Sequence, residues 1–259
     1  MTDQRPRLFF VHVRKTGGTT FMAHVQANFA PEERYPSPLF EQEPAGILHA
    51  KTSAPYLFEQ DRGRLDRVRF FSLHLPFWVS EALAGSLERD LLTVTILRHP
   101  VERAVSHLKV LAQVQGWTEG LDKLYLVPWV RNWTLWNHQL LQFVLTAEDE
   151  ADMFERASVL WTVPDPDVQE IGPPVVLDKG RLARARANLG KVEIVGITER
   201  FDAFVTEVGD RFGWAATAVG KRNVSSRSDI PKRLGDRIAA DCGPDLDFYN
   251  YATRLAATA

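Results

Sequence analysis

The sequence has 259 residues, of which 45% are hydrophobic and 25% are charged, and its formal net charge is −2. These values are typical of one large globular domain or two small ones with a sizeable apolar core. Because the chain has no repeats or low-complexity linkers, we treat residues 1–259 as a single domain. A slightly acidic chain has no general attraction for nucleic acid or other polyanions, so any anion site has to be local.

The cysteine content and the apolar runs indicate the compartment. Cys242 is the only cysteine, which excludes an internal disulfide and agrees with a reducing environment. No apolar run approaches the roughly 20 residues of a membrane span, and residues 1–7 lack the apolar core of a signal peptide. We therefore expect a soluble, cytoplasmic protein without a transmembrane segment; its oligomeric state is not apparent.

The first motif is a strand, a turn and a helix. Residues 8–13 form an apolar run, residues 15–20 read Lys-Thr-Gly-Gly-Thr-Thr, and a helical pattern covers residues 19–29. A buried strand that restarts as a helix leaves backbone N–H groups at the positive end of the helix dipole, where anions bind. The ordinary alternative is a turn in which a threonine caps the helix. Because the lysine precedes the glycines, this is not the nucleotide-triphosphatase loop.

The other elements alternate in the same way. Residues 31–43 are predicted to be a surface loop, and residues 117–145 to hold one or two helices. Alternating strands and helices predict an α/β protein with a parallel sheet and helices on both faces. Further strands are predicted at residues 46–50, 67–74, 91–97 and 193–197, and further helices at residues 147–160, 182–189, 200–212, 232–241 and 245–255, and from Pro100 onward.

A second strand-turn-helix unit contains Arg98 and Ser106. The β-branched run at residues 91–97 ends in Arg98, whose guanidinium can form two hydrogen bonds with one phosphate. Ser106 lies about two helical turns further on and could face the same group. The alternatives are a strand-end salt bridge for Arg98 and a surface hydroxyl for Ser106. Two anion-binding turns suggest a ligand with two separate phosphates.

Two motifs carry a family resemblance. Residues 12–20, His-Val-Arg-Lys-Thr-Gly-Gly-Thr-Thr, resemble the phosphosulfate-binding loop of sulfotransferases that use 3′-phosphoadenosine 5′-phosphosulfate (PAPS). Residues 97–106, Leu-Arg-His-Pro-Val-Glu-Arg-Ala-Val-Ser, resemble their 3′-phosphate motif. The residues of these two motifs are most similar to those of the carbohydrate branch that includes the heparan sulfate 2-O-sulfotransferases. Less specific matches follow in the same order at residues 72–74, 195–201 and 245–249.

The resemblance implies a P-loop-like fold and an enzyme that uses PAPS as cosubstrate, without a metal. Lys15 would stabilise the leaving oxygen, and His74 would remove the proton of an acceptor hydroxyl. His74 also follows a predicted strand, where ligands bind in open α/β sheets, and histidine has a suitable unperturbed pKa of roughly 6.5; His49 is the reserve candidate. The residues implied to bind PAPS are Arg14, Lys15, Thr16, Gly17, Gly18, Thr19, Thr20, Arg98, Ser106, Lys221 and Arg222.

The acceptor is the least determined part of the prediction. By resemblance, Trp136, Asn137 and Gln139 lie on the acceptor side, where an indole could stack on a sugar, although core packing explains the tryptophan equally well. We expect a saccharide or glycoconjugate hydroxyl. Lys221 and Arg222 are implied to belong to a loop that closes over the nucleotide; a plain solvated loop is the alternative. Two rival functions are a P-loop kinase that uses ATP and a nonenzymatic nucleotide-binding module.

Overall fold

A computed structural model describes residues 6–36, 54–87, 90–162, 172–214 and 230–258. Within these ranges the strands form one all-parallel sheet in the order β2-β3-β1-β4-β5, which confirms the predicted α/β class. The strands are β1 (Arg7–Val11), β2 (Arg34–Tyr35), β3 (Phe70–Leu73), β4 (Leu91–Leu97) and β5 (Ile194–Ile197).

Helices occupy most of the remaining described chain. Residues Val130–Leu135 form a π-helical turn, and single 3₁₀ turns cover Pro31–Glu33 and Thr198–Arg200. The α-helices are α1 (Gly18–Asn28), α2 (Ala54–Phe58), α3 (Arg62–Leu65), α4 (Phe77–Leu87), α5 (Pro100–Gln115), α6 (Leu121–Leu126), α7 (His138–Val144), α8 (Ala147–Thr162), α9 (Lys179–Leu189), α10 (Phe201–Phe212), α11 (Lys232–Asp241) and α12 (Gly243–Thr258).

The central strand β1 shows why the sheet is covered on both sides. Its side chains alternate between two apolar cores, as strand geometry requires. Leu8 and Phe10 pack with residues of α1 and α10 on one face. Phe9 and Val11 pack with residues of α4, α7, α9 and α12 on the other. Every residue of β1 is buried, which explains its nearly continuous apolar sequence.

Some predicted elements differ from the structure. The loop prediction for residues 31–43 is wrong at Arg34–Tyr35, because this strand is too short to show a period. Residues 117–145 hold α6, the π-helical turn and α7, more pieces than expected. The predicted strand at residues 46–50 lies outside the described residues. In the ranges that are described, no helix combines the length and apolarity that a membrane crossing needs.

Candidate active site

The strand order brings three predicted site residues to one edge of the sheet. His74 follows β3, the loop with Lys15 follows β1, and Arg98 follows β4. In the sheet, β1 lies between β3 and β4 and pairs with both. Since neighbouring strands are about 4.8 Å apart, the three chain segments leave the sheet side by side across about 10 Å.

The loop after β1 is shaped by two residues in the left-handed region. Lys15 has φ 70° and Gly17 has φ 100°. Thr16 is fully buried, and its hydroxyl donates to the backbone carbonyl three residues earlier at 2.9 Å. A Cβ on Gly18 would lie 1.9 Å from Nε2 of His12, so only glycine fits there. The glycines therefore serve the backbone conformation and the approach of the His12 ring.

The first turn of α1 leaves backbone donors unused by the helix. The helix has no side-chain cap, so the capping alternative for its threonines does not apply. Its first hydrogen bonds run from the N–H groups of Thr20 and Phe21 to the carbonyl of Gly17, at 3.0 and 3.2 Å. The N–H groups of Gly18 and Thr19 come before these bonds and have no helical partner. They lie at the positive end of the helix dipole, so the turn can bind an anion.

The turn after β4 holds Arg98 by its backbone and its side chain. The N–H of Arg98 donates to Oε1 of Gln139 at 2.9 Å, and Nε2 of Gln139 donates to the Arg98 carbonyl at 2.8 Å. The guanidinium contacts Glu102 at 3.2 Å, so the predicted strand-end salt bridge exists. That contact engages only part of the five guanidinium donors, and the rest can still bind a phosphate. Ser106 is buried on α5, the helix that follows Arg98.

Thr198, at the end of β5, ties these two turns together. Its hydroxyl lies 2.7 Å from the carbonyl oxygen of Thr16 and 3.1 Å from that of Leu97, and it can donate to either. Burial, followed by the charge of Arg98, lowers the pKa of Lys15. No role is predicted for Thr198 from the sequence. The feature that could have indicated one is a hydroxyl residue directly after a predicted strand.

His74 has the geometry of a general base. Its Nδ1 lies 2.8 Å from the carbonyl oxygen of His12. A carbonyl only accepts, so Nδ1 carries the proton and Nε2 keeps its lone pair. Burial, followed by the charges of His12 and Arg14, holds the pKa of His74 well below 6.5. The residue as a whole is nevertheless exposed to solvent. His74 is therefore a neutral, accessible imidazole at neutral pH.

Arg14 lies among histidines. His12 stacks on Phe10 at 4.9 Å and contacts the His74 ring at 4.5 Å, so its ring packs against that of His74. Within the described ranges Arg14 has no acidic partner. The groups whose pKa is lowered in part by the charge of Arg14 are His12, His74, Arg103, His107 and His138.

These histidines predict a loss of stability in acid. Burial first, then nearby cations, lowers the pKa of His12 to about 4 and that of His107 to about 3. The unfolded chain takes up protons near pH 6.5 and the folded chain does not, so stability is complete above pH 6.5 and falls below it. Each histidine contributes a slope of about 1.4 kcal/mol per pH unit. Urea unfolding between pH 7.5 and 5 in phosphate-free buffer measures this dependence of the unfolding free energy on pH.

The matched variant for this test is His107→Gln. It removes one titrating group. The slope of the unfolding free energy against pH should therefore decrease by the contribution of one proton, about 1.4 kcal/mol per pH unit. An unchanged slope in the variant, or a wild type that becomes more stable between pH 6.5 and 5, would contradict the prediction.

Two of the residues predicted to contact the acceptor are placed differently. Asn137 and Gln139 are fully buried. The side-chain oxygen of Asn137 accepts from the N–H of Asp245 at 2.9 Å, and Gln139 binds the Arg98 backbone. Their burial does not agree with direct contact to an acceptor, whereas Trp136 is partly exposed. The remaining candidates, His49, Lys221 and Arg222, lie outside the described residues.

Comparisons with known proteins add no family assignment. No protein-family model matches this sequence, and no match is found among curated proteins. We therefore infer the function from the residues and geometry of this site.

Proposed function

We propose that this protein is a sulfotransferase that transfers the sulfuryl group of PAPS to a hydroxyl of a saccharide or glycoconjugate. The observation that carries the proposal is the order of His74, the Lys15 turn and Arg98 on three adjacent strand ends. A base, a first anion site and a second anion site then lie in a row. An acceptor, a 5′-phosphosulfate and a 3′-phosphate would occupy them in that order.

The arrangement of the sheet supports the same proposal. A parallel sheet of order 2-3-1-4-5 with an anion-binding turn after β1 is consistent with a P-loop-like fold. The Thr198 hydroxyl lies within hydrogen-bond distance of the Thr16 and Leu97 carbonyls and donates to one of them at a time, so it links the two turns. Two anion sites at neighbouring strand ends suit a ligand whose two phosphates are separated by a ribose.

The proposed reaction is an in-line displacement at sulfur. Nε2 of His74 takes the proton of the acceptor hydroxyl as its oxygen bonds to sulfur, and the bond from sulfur to the bridging oxygen breaks. Lys15 and the free N–H groups of α1 stabilise the charge that develops on the 5′-phosphate. Sulfuryl transfer resembles phosphoryl transfer in its loose transition state, so positioning and charge stabilisation supply most of the rate.

The cofactor is tested by binding of the product 3′-phosphoadenosine 5′-phosphate (PAP) against AMP. We expect calorimetry to show that the wild type prefers PAP and that Arg98→Ala loses this preference. Loss of a charge-assisted phosphate contact costs about 1.5–3 kcal/mol, or about 10- to 150-fold in PAP affinity. Arg184→Ala, which removes an exposed arginine of α9, is the matched control. Equal wild-type affinities for PAP and AMP would refute the proposal and direct attention to ATP and the kinase alternative.

A further inference from the structure

Behind the Arg98 turn, one buried amide continues the hydrogen bonding of the sheet. β4 pairs with β5 as far as Leu97 opposite Ile197, so the next backbone groups have no strand partner. The Gln139 side chain bonds both the N–H and the carbonyl of Arg98. Bonding on both sides of one residue fixes the peptide orientations there, and with them the direction in which the Arg98 side chain leaves the backbone.

Gln139 is itself held by the first turn of α7, and that turn is held by α12. Asp245, which is 1% exposed, accepts from the N–H of Leu140 at 2.7 Å and from that of Gln139 at 3.3 Å. A carboxylate at this position caps the helix and faces the positive end of its dipole. Asn137 returns the contact by accepting from the N–H of Asp245. The starts of α7 and α12 therefore cap each other.

The neighbouring residue of the turn is anchored as well. The N–H of His99 donates to Glu199 at 3.3 Å, and the His99 ring contacts the ring of Tyr249 on α12 at 5.7 Å. α12 therefore supports this turn through Tyr249 directly and through Asp245 and α7. Both sets of contacts reach the backbone of Arg98 or the ring of His99, and neither involves the Arg98 guanidinium.

We propose that Gln139 and Asp245 set the selectivity for a 3′-phosphate by positioning Arg98. This inference rests on the proposed function, in which Arg98 binds that phosphate. Both residues are buried, so they act through the Arg98 backbone and not on the ligand. They are positioning residues, and their loss should weaken binding of the 3′-phosphate while the 5′-phosphate site after β1 stays intact.

The test compares PAP and AMP affinities in Gln139→Leu and Gln142→Leu. Gln142 is also buried on α7, one turn further on, and among the described residues it forms no hydrogen bond with Arg98, so it controls for the loss of a buried glutamine. We expect Gln139→Leu to lower PAP affinity about tenfold, the equivalent of one lost hydrogen bond, with AMP affinity changed less than about twofold. Gln142→Leu should match the wild type for both ligands.

A double-mutant cycle separates positioning from general damage. In an Arg98→Ala background, Gln139→Leu should have no further effect on PAP binding. A retained PAP preference in Gln139→Leu, an equal loss of AMP affinity, or a loss that persists without Arg98 would overturn the inference. If Gln139→Leu does not fold by circular dichroism, Asp245→Asn is judged by the same criteria. A wild type without PAP preference would instead refute the proposed function.

Discussion

Replacing His74 by alanine is expected to reduce sulfuryl transfer by about 10²- to 10⁴-fold, the usual contribution of a general base. PAP affinity should stay within about twofold of the wild type, because His74 follows β3, whereas the two phosphate-binding turns follow β1 and β4. The assay is transfer from radiolabelled PAPS to the most active acceptor found in a screen of mono- and oligosaccharides.

The matched control for this variant is His24→Ala, which removes a partly exposed histidine from α1. The pH profile gives an independent measurement. The pKa of His74 is lowered, so the base form persists below pH 6.5 and the acid limb of kcat/KM should lie below that value. A His74→Ala enzyme that transfers at the wild-type rate would exclude His74 as the base. A wild type that binds PAP but transfers to no acceptor would favour the nonenzymatic module.

The sequence could predict that Lys15, His74 and Arg98 lie at strand ends because strand ends are local features. Lys15, His74 and Arg98 each follow an apolar run that is broken by glycine or proline. In each case the run, the polar residue and the glycine or proline lie within a few positions of one another in the sequence. Parallel sheets place all carboxyl ends at one edge, so the grouping follows from the class of fold. Strand order does not follow from it: only the structure shows that β1 lies between β3 and β4.

The supporting residues could not be predicted in this way. Gln139 reaches Arg98 across 41 positions, and Asp245 reaches Leu140 across 105. No periodicity or spacing encodes such contacts, because they depend on how α7 and α12 pack. The resemblance places Gln139 on the acceptor side, whereas the structure shows its side chain buried and bonded to the Arg98 backbone. Most side-chain hydrogen bonds in folded proteins are made to the backbone or to water.

The charge of Lys15 gives the second large prediction. Lys15→Met keeps the length of the side chain and removes its charge, and it leaves the residue with the same backbone conformation at φ 70°. We expect kcat to fall by about 10²- to 10³-fold, as when one charge-stabilising donor is lost from an active site. The KM for PAPS should rise less than kcat falls, because the N–H groups of α1 and Arg98 still hold the phosphates.

The distribution of the loss between kcat and KM decides what Lys15 does. If negative charge develops on the bridging oxygen only during the reaction, Lys15 stabilises the transition state more than the bound substrate. Its loss should then lower kcat. A lysine that merely attracts the nucleotide would instead raise KM and leave kcat unchanged. Lys123→Met removes an exposed lysine of α6 that pairs with Glu119, and it should leave both parameters unchanged. A Lys15→Met enzyme with wild-type kcat would remove Lys15 from the transition state and leave it a binding role only.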